Sequence, residues 1–228
     1  MKEVFENKDV KETKTTEAED YKDIKPEGNS NPEESKSFID DLFSENTDNI
    51  ESDEEKKQEN PHEEEVDGKK YYYDDNGKLY RVGSELAPNS EYEINGYKYT
   101  TDDKGRIISA EGKLHMKDRE GRLTIKDSIG DIGKGDEKDG DDRGHLIGDQ
   151  FDGSNGLENM VPQDANINRN DFKNFENELA KKVKDGKEVE VKVEPIYDGD
   201  SRRPVAIVVT YSINGEESVR VFPNSQEA

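Results

Sequence analysis

Cysteine is absent from the 228-residue chain, which excludes disulfides, thiolate metal sites and cysteine nucleophiles. Apolar residues are scarce at 28%, against the ~45–50% of a typical globular chain with glycine counted in. No run approaches the roughly 18 apolar residues that a membrane span needs. The first ten residues, MKEVFENKDV, lack the apolar centre of a signal peptide. Positive charge is also short: 34 Lys+Arg stand against 57 Asp+Glu, a net of −23.

The apolar deficit is uneven. Residues 1–66 hold 9 basic and 23 acidic residues and only 13 apolar ones, whereas residues 67–228 hold 25 basic and 34 acidic. Ordering a backbone costs roughly 1–2 kcal/mol per residue, and so little apolar area cannot offset it. Residues 1–66 therefore read as a disordered acidic tail or linker, and residues 67–228 as one folded domain. The cluster Ser37-Phe38-Ile39-Asp40-Asp41-Leu42-Phe43 is the exception in the tail. It suits a helical turn or a short docking segment, although an incidental cluster fits the composition better.

From Lys70 the pattern changes. Lys70–Tyr73 and Leu79–Val82 flank Asp75-Asn76-Gly77, and Glu91–Ile94 and Tyr97–Tyr99 flank Asn95-Gly96. Asn-Gly supplies two positive-φ positions, which makes the second pair a hairpin signal. Arg106–Ile108 and Leu114–Met116 read as further strands. Residues 127–142, rich in Gly and Asp, read as a mobile connection. Phe172, Phe175, Leu179 and Val183 form an apolar stripe at helical spacing, with Asn168 or Asn170 to cap it and Gly186 to end it. Three antiparallel strands should follow, over 188–196, 205–213 and 217–222. The class is α+β.

The chemistry gathers between residues 142 and 176. Asp142-Arg143-Gly144-His145 comes first, then Asn159-Met160-Val161-Pro162-Gln163, then Asn168 and Glu176. Histidine takes a proton near neutral pH. Arginine is a forked cation suited to phosphate. Asn168 offers a neutral oxygen to a hard cation, and Glu176 a charged one. Eight residues separate these two, about 80° around a helix and two turns along it. A base, a cation and a hard-metal site together suit phosphodiester hydrolysis. The oxygen and amide donors favour Mg²⁺, with Mn²⁺ an alternative. Asn159 either orients the loop or contacts substrate. His62 and His115 read as structural or surface residues, and Asp149 and Asp152 as loop carboxylates.

This ordered set resembles the DNA/RNA non-specific endonucleases, built on a ββα-metal finger. The likeness covers residues 86–224 or so. It is nearest to the nuclease domains at the C-termini of type VII-secreted antibacterial toxins, through Tyr97, Tyr99, the run Thr101–Arg106 and the run Asp142–Phe151. The resemblance implies His145 as general base; Arg143, read from its chemistry as the cation that binds phosphate and stabilises the phosphorane, and Asn159 complete the candidate catalytic set. It also implies Asn168 as the direct protein ligand of one Mg²⁺ and Glu176 as its support. It implies DNA, and RNA as a further substrate, a cognate immunity protein, and secretion by a non-classical route. The larger secreted nucleases of the superfamily carry an arginine one turn after the glutamate, where this chain has Ala180. Arg106, Arg169, Arg202 and Arg203 are the candidates to supply that charge and to bind substrate, and Arg143, Arg169, Lys173, Arg202 and Arg203 form a basic rim on an acidic protein. Two other readings compete: a scavenging nuclease without a dedicated inhibitor, and a non-catalytic acidic interaction protein on a degenerate nuclease fold.

Overall fold

The computed structural model describes residues 42–43 and 61–225. Leu42 and Phe43 are helical, and the rest of their apolar cluster and of segment 1–60 lies outside the described residues.

Tight turns lay out the first half of the fold. β1 (His62–Val66), β2 (Lys69–Tyr73), β3 (Leu79–Val82) and β4 (Glu85–Leu86) form an antiparallel four-stranded sheet in that order. Asp67 and Gly68 turn β1 into β2 at φ 51° and 76°. The tail boundary at residue 66 is thus displaced, because His62–Val66 is a strand. Its three glutamates lie opposite Tyr72, Tyr71 and Lys70, and the His62 ring stacks on Tyr73 at 4.5 Å. The tyrosine-rich partner strand supplies the apolar contact that β1 lacks.

The second sheet contains β5 (Glu91–Ile94), β6 (Tyr97–Thr101), β7 (Ile107–Lys113), β10 (Val189–Tyr197), β11 (Pro204–Ile213) and β12 (Glu216–Pro223), ordered β12-β11-β10-β7-β6-β5 and antiparallel throughout. The hairpins at Asn95-Gly96 and Asn214-Gly215 form as their turn chemistry dictates, with both residues of each pair at positive φ. One expectation fails here. β7 is a single strand ending at Lys113, and Leu114–Met116 is irregular chain.

The apolar stripe that starts at Phe172 and continues along helix α2 (Lys173–Lys184) packs on this sheet, with Phe172 edge-on to Phe222 at 4.9 Å and Phe175 edge-on to Tyr211 at 5.1 Å. Each such ring buried contributes roughly 1.5–3 kcal/mol. Gly186, at φ 74°, ends the helix as expected.

Residues 127–142 are structured, contrary to the reading of a mobile connection. They hold the short helix α1 (Ile129–Gly133), capped reciprocally by Ser128 and Asp131, and the start of β8 (Asp141–His145). Asp127 anchors the segment. It takes two hydrogen bonds from Arg81 of β3 at 2.9 and 2.5 Å and a third from the Leu157 backbone at 2.9 Å. Arg81 also lies 3.6 Å from Glu158. Removing one partner of a buried pair strands the others without compensation. Arg81→Ala is therefore expected to lower stability by about 3–5 kcal/mol, read as a fall in the urea midpoint.

Candidate active site

β8 pairs antiparallel with β9 (Met160–Asp164), His145 opposite Met160 and Asp142 opposite Gln163. The chain then turns directly into helix. Asp164 caps that start, its carboxylate accepting from the Asn166 and Ile167 backbones at 2.9 and 3.2 Å. The cap is therefore not Asn168 or Asn170. Residues Ile167–Phe172 are π-helical, which periodicity did not anticipate, and α2 follows. Strand, strand and helix make the ββα unit, and the π segment within it carries Asn168 and Arg169.

Both of those side chains converge on Asp142. Arg169 grips it with Nε at 2.8 Å and Nη2 at 2.7 Å, and Asn168 Nδ2 donates at 2.9 Å. Burial opposes the charge, yet the Arg169 guanidinium and the Asn168 amide hold the Asp142 carboxyl below the usual range. The amide nitrogen of Asn168 is thereby turned to Asp142, and its carbonyl oxygen is left for a hard cation.

His145, Asn168 and Glu176 line one cleft, with Arg122, Arg169 and Lys173. His145 is 7% exposed, and its Nε2 meets Asn155 Oδ1 at 2.7 Å. Burial pushes its pKa below the ordinary value, so the ring is neutral and able to accept a proton at pH 7. Glu176 is half-buried and accepts from the Gly148 backbone; desolvation pushes its carboxyl up to about 8. A Cβ on Gly148 would collide with that carboxylate, which explains the glycine. A cation beside Glu176 would restore its charge. Among the described residues no three His, Cys, Asp or Glu side chains cluster as metal ligands. The donor set is thus one amide oxygen and one carboxylate, which fits a hard cation that keeps most of its water.

The remaining expected residues fall elsewhere. Asn159 is fully buried and works as a staple: its Oδ1 accepts from Ile147 N, and its Nδ2 donates to the Ile147 and Ser154 carbonyls. It orients the loop and does not line the cleft. Arg143 is exposed and donates to the Asp127 carbonyl at 2.9 Å. Arg106 pairs with Asp102 at 2.7 Å, bonds the Gly199 and Ser201 carbonyls and sits over Tyr197. Arg203 is buried in a two-pronged pair with Asp141 at 2.7 and 2.8 Å. Arg202 binds the Lys104 carbonyl. These three are built into the scaffold and do not line the cleft, so of the four candidate arginines only Arg169 reaches it.

Arg122 was missed. It lines the cleft, acts electrostatically on both His145 and Glu176, and makes no hydrogen bond or ion pair among the described residues. Nothing in the sequence around it marks it; only its place in the fold does. Ala180, one helical turn after Glu176, is buried in the core.

Against known proteins, the family described as DNA/RNA non-specific endonuclease matches residues 88–215. The chain belongs to that family. The Type VII secretion system protein EssD of Staphylococcus aureus, strain USA300, is 36% identical over 134 residues, covering 50% of this chain and 22% of EssD. The EssD of strain Newman matches equally. The chain thus spans about a fifth of the length of these relatives. The crystal structure of NucA from Streptococcus agalactiae with magnesium ion bound shares 19% identity at a TM-score of 0.45, covering 73% of this chain and 85% of NucA. Its structure with no metal bound gives 20% and 0.43, covering 73% and 84%.

Proposed function

We propose that this chain hydrolyses phosphodiester bonds of DNA, and of RNA, with a divalent cation and without sequence specificity. The observation that carries this is the cleft itself: a neutral buried histidine beside an asparagine oxygen and a carboxylate, rimmed by Arg122, Arg169 and Lys173. His145 takes a proton from water, whose oxygen attacks phosphorus in line as the bond to the 3′ oxygen breaks. The leaving oxygen takes a proton from solvent. Asn168 and Glu176 would hold Mg²⁺ or Mn²⁺, which when bound supplies Lewis-acid stabilisation of charge on the phosphate. Arg122, at the rim of the cleft, offsets negative charge on the pentavalent phosphorus. Among the described residues the cleft is lined by charged and amide side chains and by no row of base-reading ones, so in this reading contact falls on backbone phosphates. The cations gathered at the cleft offset locally a charge of −23 over the whole chain.

The folded domain begins at His62 in this reading, with the acidic segment before it dispensable for catalysis. The likeness to a type VII secretion system protein supports secretion; in this reading the chain is a toxin domain, held in check by an immunity protein in its producer. Among the described residues no helix is long and apolar enough to cross a membrane.

Digestion of plasmid and of RNA, with and without chelator, tests the nuclease reading. Cleavage lost in chelator and restored by Mg²⁺ is expected, and undiminished cutting in chelator would remove the metal. Arg122→Ala is expected to lower kcat roughly 10²–10³-fold, as loss of a preorganised charge stabiliser does. Single-turnover rates at saturating Mg²⁺ check this, and a wild-type rate would discard the role.

A further inference from the structure

The loop between His145 and Asn159 carries a polar chain outside the reaction scheme. Lys117 Nζ and Arg119 Nη2 donate to the Asp149 carboxylate at 2.5 and 2.7 Å. Asp149 Oδ1 also accepts from Asn155 Nδ2 at 3.3 Å, and Asn155 Oδ1 faces His145 Nε2 at 2.7 Å. The two cations hold Asp149 ionised, and an ionised carboxylate only accepts. The Asn155 amide must therefore turn its NH₂ toward Asp149 and its oxygen toward the histidine. An amide oxygen also only accepts, so the ring nitrogen it meets must bear the proton. Among the described residues the His145 ring makes no other hydrogen bond.

We propose that Asn155, oriented by Asp149, is the positioning residue that holds the His145 imidazole as its Nε2–H tautomer and leaves the Nδ1 lone pair as the general base. The polarity runs one way along the whole chain: cation, carboxylate, amide, imidazole. Each link removes a freedom from the next. Asn159 fixes the loop at the Ser154 carbonyl, one residue before Asn155, so the amide is delivered at a defined height. Reversing any link would put a proton on Nδ1 and abolish the base. The inference rests on His145 being that base.

The test uses the full chain labelled with ¹⁵N-histidine, which carries three histidines. Wild type should show a hydrogen-bonded Nε2–H resonance that His145→Ala removes. Asn155→Ala should lose that resonance and lower kcat about 10- to 100-fold, the usual cost of deleting an outer partner of a site histidine, with KM near wild type. Asn155→Asp keeps an acceptor at Nε2. It should retain the resonance, recover much of the rate, and move the acid limb of the pH–rate profile upward, because a carboxylate favours the imidazolium. Asp149→Asn lets the amide at 155 turn round, and should weaken the resonance without breaking the fold. An Asn155→Ala protein with unchanged resonance and kcat would overturn the proposal. So would equal loss of rate in Asn155→Ala and Asn155→Asp while the resonance persists in both. Full activity of His145→Ala would instead sink the general-base reading while leaving the tautomer result intact.

Discussion

His145→Ala should leave a folded protein that binds DNA and cuts it roughly 10²–10⁴-fold more slowly, the range for losing a general base. At 1.36 kcal/mol per decade this is about 3–5 kcal/mol of barrier. The size follows from the setting. Burial keeps the ring neutral, and Asn155 holds one face of it. No other titratable group among the described residues duplicates it: Glu176 sits against the Gly148 backbone, and Asp149 is tied to Lys117 and Arg119. Asn168, Glu176 and the cationic rim stay in place, so binding should survive. The vacated volume should admit free imidazole and return part of the rate. The measurement is the single-turnover plasmid nicking rate with and without imidazole, beside fluorescence anisotropy on duplex DNA and circular dichroism. Wild-type cleavage by the folded variant would refute the assignment.

Asn168→Ala should fail differently. It deletes the oxygen turned toward the proposed cation but leaves the base. The rate at low Mg²⁺ should collapse, and the Mg²⁺ concentration for half-maximal rate should rise on the order of ten- to a hundredfold. High Mg²⁺ should recover part of the activity, and imidazole none. Asp142 would lose one of its two donors but keep the Arg169 fork, so the ββα unit should hold. Rate against Mg²⁺ for wild type, Asn168→Ala and His145→Ala separates the two roles, because only the first variant should respond to the metal. A Mg²⁺ dependence identical to wild type would remove Asn168 as a ligand.

Much of the fold was legible because its signals are local. Asn95-Gly96 and Asn214-Gly215 make hairpins through the φ values of two adjacent residues. Phe172, Phe175 and Leu179 make a buried stripe through helical spacing alone. The boundary at residue 66 failed because composition averages over a segment, while β1 is held by partners contributed by β2. The connection 127–142 failed for a related reason. Its order comes from Arg81, 46 residues away from Asp127, and no window of sequence contains both.

The candidate site divides along the same line. Sequence by itself determined the reactive types and their order: His145 after Asp142, then Asn168, then Glu176, with a helix where the last two need one. These lie on adjoining elements, so their spacing carries the geometry. Tertiary structure alone decided which cations serve the cleft. Arg106 and Arg203 look as available in sequence as Arg122. Yet Arg203 is committed to Asp141, 62 residues distant, and Arg106 to Asp102 and the Gly199 and Ser201 carbonyls, whereas Arg122 keeps its charge free at the cleft. Structure likewise decided that Asn159 staples the loop and that Asn155 meets the histidine. The reason is physical. A side chain's type fixes what it can donate or accept, but whether that capacity is spent on the scaffold or left for a substrate depends on which distant partner folding brings within about 3 Å.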